Sequence, residues 1–254
     1  MELIKTHIAN GVLHIVLNRP DKKNALTRTM YQMMADAIVD ANDNDAIRVI
    51  RFSGEGDCFT AGNDISDFAN REEGQHVPET AAFMRALTDC KLPVIAQVHG
   101  LAVGIGTTLL LHCDFVYAEP KARFVLPFIN LGLVPEYASS YLLPKIAGHI
   151  KASEWLMLGE PISAQEAHDF GMLTAIVSND TLAAVVDEVC AKLTAKPAFA
   201  LLHTKALLKR ENEKIHQVMN EEFDIFLDAM NSPAAQEAFD AFLNKRPINP
   251  EKFK

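Results

Sequence analysis

Residues 93–108 read Pro93-Val94-Ile95-Ala96-Gln97-Val98-His99-Gly100-Leu101-Ala102-Val103-Gly104-Ile105-Gly106-Thr107-Thr108 and run into Leu109-Leu110-Leu111. A short apolar run, then glycines, then an apolar segment: this is the strand, turn and helix order from which α/β folds are built. The pattern recurs on both sides. Upstream, residues 12–17 read as a strand stopped by Asn18-Arg19-Pro20-Asp21. Thr27 is placed to cap a helix whose apolar stripe runs through Met30, Met33, Met34, Ala37, Ile38 and Ala41. Residues 48–52 form the next strand and enter the loop Ser53-Gly54-Glu55-Gly56-Asp57. Downstream, residues 114–118 and 123–126 continue the alternation, which predicts an α/β fold with largely parallel strand pairing.

After about residue 139 the pattern changes. Only residues 174–177 read as extended, while 181–193, 197–210, 214–229 and 233–243 carry helical periodicity with Thr, Pro or Ser near their starts. No Pro/Ser-rich linker and no internal repeat separates the two parts, so the expectation is an α/β core over residues 1–195 and a helical region over 196–254. Leu201, Phe223, Phe226, Leu227, Phe239, Phe242 and Leu243 give that region more apolar surface than isolated helices bury. Packing against the core and a subunit interface both account for it.

At 254 residues, 49% hydrophobic and 22% charged, the chain can bury a full core and is not a disordered one. Twenty-four Lys and Arg against 33 Asp and Glu leave a net charge of -9. That field repels nucleic acid and acidic membrane surfaces, so neither is an expected partner, and an anionic ligand would need a local cluster of basic or N–H groups. Cys58, Cys90, Cys113 and Cys190 show no Cys-x-x-Cys spacing and read as reduced thiols. The nine histidines offer no metal-ligand motif, so no metal site is expected. No signal segment or run of ~20 apolar residues is visible, and a cytoplasmic location is the expectation.

Three loops have the composition for chemistry. Cys58-Phe59-Thr60-Ala61-Gly62-Asn63-Asp64-Ile65 follows the second strand, and its small residues let a ligand approach main-chain N–H groups; Asp64 capping the next helix explains it as well. The loop from Gly100 to Thr108 opens a helix, whose free N–H groups favour a developing negative charge, although close helix packing also calls for such glycines. It is not a dinucleotide fingerprint, since Leu109 replaces the final glycine. In the third loop, Phe128-Ile129-Asn130-Leu131-Gly132-Leu133-Val134-Pro135-Glu136-Tyr137-Ala138-Ser139-Ser140, a single carboxylate stands in an apolar setting before a helix. Burial would raise its pKa and the helix start would lower it.

Together these features resemble the crotonase superfamily, the enoyl-CoA hydratase/isomerase family, along nearly the whole chain. The matching stretches are Leu17-Asn18-Arg19-Pro20 with Asn24-Ala25-Leu26, the Phe59 to Ile65 loop, and Pro93-Val94-Ile95-Ala96 followed by Gly100, Ala102, Gly104 and Gly106. Cys113-Asp114, Leu143-Pro144-Lys145, Leu158-Gly159, Ile162-Ser163-Ala164-Gln165-Glu166-Ala167 and Ala241-Phe242-Leu243 with Lys245-Arg246 complete the series. The resemblance implies a crotonase-like spiral of ββα units forming two sheets, with a helical C-terminal region that makes homotrimers, often paired into hexamers. It implies an acyl-CoA thioester as substrate and no further cofactor. Its carbonyl oxygen would be held by the backbone N–H groups of Asn63 and Ile105. The substrate would run along Ala25, Ala61, Asp64, Ile65, Gly104, Phe128 and Pro135, with the CoA phosphates near Arg19, Lys22 and Lys23 and near Lys245, with Arg246 beside it.

The chain departs from the family's hydratases at the acids. Where they carry two glutamates, here stand Thr108 and Phe128, which cannot activate water or deliver its proton at neutral pH. The Asn130 to Ser140 loop instead looks like that of the peroxisomal-type Δ3,Δ2-enoyl-CoA isomerases, whose single glutamate corresponds to Glu136. The expected reaction is a double-bond shift by proton transfer from C2 to C4, with Phe128 keeping water away and Thr108 of little consequence. Hydration, other CoA-thioester enolate chemistry, and acyl-CoA binding without turnover are the alternatives.

Overall fold

The computed structural model describes residues 2–66 and 78–253. Among these residues, nine strands form two sheets. The larger has the order β1 (Ile4–Ala9), β2 (Val12–Leu17), β3 (Val49–Gly54), β4 (Val94–Val98), β6 (Phe115–Ala118) and β9 (Ala175–Ile176). β1 and β2 form an antiparallel hairpin, and every later pair in this sheet is parallel. The smaller sheet pairs β5 (Leu101–Val103) with β7 (Arg123–Val125) in parallel, and β7 with β8 (Ile162–Ser163) antiparallel. The parallel α/β expectation therefore holds for the larger sheet.

Three strands were not legible beforehand. β1 exposes most of its side chains and lacks a one-sided apolar alternation. β5 lies inside the glycine-rich stretch read as a loop, and β8 is two residues long in a region read as helical except at 174–177. Both depend on pairing with β7, a tertiary contact that local propensity does not encode.

Helix α1 (Arg28–Asn42) starts as expected, with the Thr27 side chain accepting from the Met30 N–H at 3.4 Å. Met30, Tyr31, Met34, Ala35, Ile38 and Ala41 form its buried stripe, and it packs on α2 (Pro78–Thr88). Each such large apolar side chain contributes roughly 1.5–3 kcal/mol on burial. After β5 come the one-turn helix α3 (Ile105–Thr108) and a 3₁₀ turn, Leu109–His112. Then follow α4 (Ser139–Ala147), α5 (His149–Leu158), α6 (Ala164–Asp169), α7 (Asn179–Thr194), α8 (Ala198–Leu208), α9 (Asn212–Met230) and α10 (Pro233–Leu243).

The last two helices join the main core through Ile215, Val218, Met219, Phe226, Met230, Ala235 and Phe239. Phe199, Leu207 and Leu208 of α8 remain 64–79% exposed, as does much of Phe242. All four cysteines are free thiols. No helix among the described residues is long and apolar enough to cross a membrane.

Candidate active site

The loop after β3 is pinned on two sides. Thr60 forms a parallel bridge with Ala102 at the start of the smaller sheet, and Asn63 forms one with Leu26. In the second bridge Leu26 N–H donates to Gly62 O at 2.8 Å and Asp64 N–H donates to Leu26 O at 2.9 Å. The bridge uses the flanking residues' groups, so the N–H of Asn63 itself points the other way. Gly62 has φ +82°, and an added Cβ would meet the Val103 carbonyl oxygen at 2.4 Å. At Gly106 a Cβ would strike the Thr60 methyl at 2.4 Å. These two glycines let the loop after β3 and the loop after β5 touch.

Ile105 is the first residue of α3, where an N–H has no intrahelical acceptor. The N–H groups of Asn63 and Ile105 donate to no acceptor among the described residues. They border a cavity of about 690 Å³. Its wall also includes Lys22, Lys23, Ala25, Ala61, Asp64, Ile65, Gly104 and Phe128, so most of the residues singled out in the sequence converge here. The C-terminal helices add Phe226, Phe239 and Phe242, and Leu131 and Leu133 come from the third loop. Sequence reasoning did not assign these five to a site, because apolar side chains on amphipathic segments look the same whether they line a core or a ligand cavity.

A second, tighter chamber of about 100 Å³ contains Glu136. Asn63 and Phe226 belong to both walls, so the chamber adjoins the larger cavity at the loop bearing one of the two N–H groups. Met84, Tyr137, Met219, Phe223, Leu227 and Met230 make most of the remaining wall apolar, and Thr80, Arg85 and Asn220 also border it. Asn63 is oriented by Tyr31, whose hydroxyl donates to Asn63 Oδ1 at 2.5 Å. Pro135 precedes Glu136 but lines neither cavity, and Lys245 lies in a left-handed turn beyond Phe242 without reaching either.

Two basic residues are already engaged. Arg19 Nη1 donates to Asp64 Oδ2 at 2.6 Å and to Ala25 O at 3.0 Å, tying together two cavity segments. Arg246 is paired with Glu237 at 2.5 Å and also with Asp240. Arg246, followed by the Asn249 N–H, holds the Glu237 carboxyl down to about 2, so this pair staples the chain end onto α10. Lys22 and Lys23 stay exposed at the larger cavity, with Lys23 in a solvent-facing pair with Asp57 at 3.2 Å.

Glu136 is 8% exposed. Burial raises its pKa to about 8, opposed by the Thr108 hydroxyl, which donates to Glu136 Oε1 at 2.6 Å, and reinforced by the nearby charge of Glu222. Burial therefore wins over the hydrogen bond. Thr108 was expected to be of little consequence; the structure makes it the direct partner of Glu136, the one carboxylate lining the chamber among the described residues. Nothing in the sequence linked them, since 28 residues separate the pair. Thr108→Val keeps the shape and removes the donor to the charged form. A pH profile of this variant is expected to show the Glu136 limb above about 8, with turnover at neutral pH lowered roughly tenfold, one pK unit's worth.

The turn holding Glu136 is clamped on several sides. Tyr137 and Ala138 both have left-handed backbones, φ +60° and +55°, which cost non-glycine residues about 1 kcal/mol or more each. His112 stacks on the Tyr137 ring with centroids 3.8 Å apart. Burial keeps this imidazole neutral, with its pKa down to about 3. Its Nε2–H donates to Tyr137 O at 2.9 Å, which leaves Nδ1 to accept from the Thr88 hydroxyl at 3.1 Å. Tyr137 in turn donates its hydroxyl to Met84 O at 2.9 Å.

The enoyl-CoA hydratase/isomerase family model matches residues 7–252. The 1,2-epoxyphenylacetyl-CoA isomerase of Escherichia coli (strain K12) is 33% identical, covering 97% of both chains. Enoyl-CoA delta isomerase 2 of Rattus norvegicus is 34% identical over 93% of this chain and 62% of its own length. A solved enoyl-CoA hydratase/isomerase from Pseudoalteromonas atlantica T6c superimposes with a TM-score of 0.93 at 36% identity, over 98% of this chain and 99% of the other. The architecture is thus the crotonase fold. The chain belongs to the enoyl-CoA hydratase/isomerase family and is an enzyme of that family.

Proposed function

We propose that the protein is a Δ3,Δ2-enoyl-CoA isomerase in which Glu136 is the sole acid/base. The observation that carries this reading is, among the described residues, one buried carboxylate in a largely apolar chamber, beside a cavity bordered by two backbone N–H groups that have no acceptor. The thioester carbonyl would sit between the N–H groups of Asn63 and Ile105, with the CoA moiety in the larger cavity and the acyl chain in the chamber. Ionised Glu136 takes a proton from C2, and the released electron pair conjugates through to the thioester oxygen, forming a dienolate. The two N–H groups stabilise that oxyanion. Glu136 then returns the proton to C4 as the dienolate collapses, leaving the double bond between C2 and C3.

One carboxylate suffices for this shuttle, whereas water addition needs a second group, and the hydroxyl of Thr108 is already committed to Glu136. Phe128, which stands where the resemblance places a second glutamate in the hydratases, borders the larger cavity, as Ile105 does. Offering the purified protein a 3-enoyl-CoA and, separately, a 2-enoyl-CoA tests the reading: isomers of unchanged mass support it, and products heavier by one water defeat it. The exposed apolar side chains Phe199, Leu207 and Leu208 support the further proposal of a homotrimer or hexamer.

Lys22 and Lys23 would meet the CoA phosphates, a local basic rim in a chain of net charge -9. Reversing both charges to glutamate is expected to raise KM for a CoA ester about tenfold at low ionic strength and leave kcat unchanged. Salt should narrow that gap, because exposed charges are screened. Equal KM values for variant and parent would remove the phosphates from this rim.

A further inference from the structure

Glu222 lies on α9, and nothing in the proposed chemistry uses it. It is 7% exposed, and it occupies a buried helical stripe otherwise made of Ile215, Val218, Met219, Phe226 and Met230. A carboxylate placed there is costly unless its lone pairs are satisfied. They are satisfied by the Glu136 turn. Glu222 Oε2 accepts from the Ala138 N–H at 2.6 Å, and Oε1 accepts from the Ser140 N–H at 3.0 Å and from the Ser140 hydroxyl. Ala138 is the second of the two left-handed residues that follow Glu136.

We infer that Glu222 is a positioning residue: from the C-terminal helical region it holds the strained turn so that Glu136 projects into its chamber. The inference rests on Glu136 being the acid/base. Three charge-assisted hydrogen bonds can offset the backbone strain at Tyr137 and Ala138. Without them the turn can relax, and small displacements of a reacting group cost large factors in rate. The same helix supplies Met219, Phe223, Phe226, Leu227 and Met230 to the chamber wall, so α9 both encloses the carboxylate and fixes its aim. The CoA cavity shares only Phe226 with that helix, which separates aim from cofactor binding.

Glu222→Gln keeps the volume but replaces an acceptor oxygen with an NH₂ group that opposes a backbone N–H. Its kcat, read on the plateau above about pH 8 where the lower Glu136 pKa that follows loss of the Glu222 charge no longer adds ionised base, is expected to fall at least about tenfold, while the Kd for a non-reactive CoA ester stays within about threefold. Glu221→Gln, an exposed neighbour on the same helix, serves as the control and should match the parent. A double-mutant cycle isolates the route of action. If Glu222 works through Glu136, adding Glu222→Gln to Glu136→Gln causes no further loss of the residual rate.

Should Glu222→Gln fail to fold, Ser140→Ala removes one of the three donors and is expected to lower kcat about threefold at unchanged Kd. An unaltered kcat in the folded Glu222 variant, or in Ser140→Ala when that variant has to be used, overturns the inference. So does a parallel loss of ester binding, or an additive cycle. An active Glu136→Gln enzyme would instead overturn the isomerase reading itself, so the two failures are distinguishable.

Discussion

Glu136→Gln is expected to lower turnover by at least about 100-fold, and by more if the group acts in both proton transfers, while CoA-ester binding is retained. Glutamine preserves an oxygen to accept from Thr108 and removes only the basic electron pair. The pH dependence of the parent enzyme should carry the same signature. With its pKa raised to about 8 by burial, Glu136 is largely protonated in the free enzyme at neutral pH, so kcat/KM should climb with pH and level off above about 8. A limb near 4.5 would mean that the carboxylate is solvated and the chamber misread.

The same substitution should raise stability, and the sign follows from linkage. An unfolded glutamate releases its proton near pH 4.5, whereas the native protein retains it to about pH 8. Across that window the native state binds more protons than the unfolded chain, so the stability contributed by this group falls as pH rises. Glutamine has no such dependence. Thermal melts should show the variant's Tm advantage growing from pH 5 to pH 8, the mark of a carboxylate kept for function at a cost to folding.

The second large effect is expected at the backbone. Replacing the peptide N–H of Ile105 with an ester oxygen deletes one of the two donors and alters no side chain. One lost donor of this kind costs about 100- to 1,000-fold in kcat. Affinity for the ground-state thioester should change far less, because the charge on its oxygen develops only as the C2 proton leaves. A variant with kcat near that of the parent would show that the oxyanion is held elsewhere.

Much of the site was readable from sequence for a specific reason. Asn63, Gly104, Ile105, Ala61 and Ile65 lie on glycine-rich turns directly after strands, which marks the loops as candidates, but it was the family resemblance, not local composition, that implied their meeting around one substrate. Glu136 was readable as an unusual carboxylate in an apolar loop, but its pKa was not, because burial and helix-start effects oppose one another until the packing is known. Thr108 carried no local mark at all.

Glu222 did carry one. Spaced with Ile215, Val218, Met219, Phe226 and Met230, it is a charge inside an apolar helical stripe, and such a residue calls for a buried partner. The stripe could be drawn from the sequence, but its partner, the turn at Ala138 and Ser140, lies 84 and 82 residues away. The strands β5 and β8 were hidden for the same reason, being too short to be stable without β7. Arg246 was read as a neighbour of the phosphates, and its engagement with Glu237 appears only once the chain end folds back on α10.

Isotopic labelling tests the central claim most directly. A 3-enoyl-CoA carrying deuterium at both C2 positions should be converted in a single turnover to a 2-enoyl-CoA of the same mass, with most of the transferred deuterium now at C4. That is the outcome expected of one buried, sparsely exposed carboxylate carrying the proton both ways. A product heavier by one water, or an isomer whose new C4 hydrogen comes entirely from solvent, would contradict it.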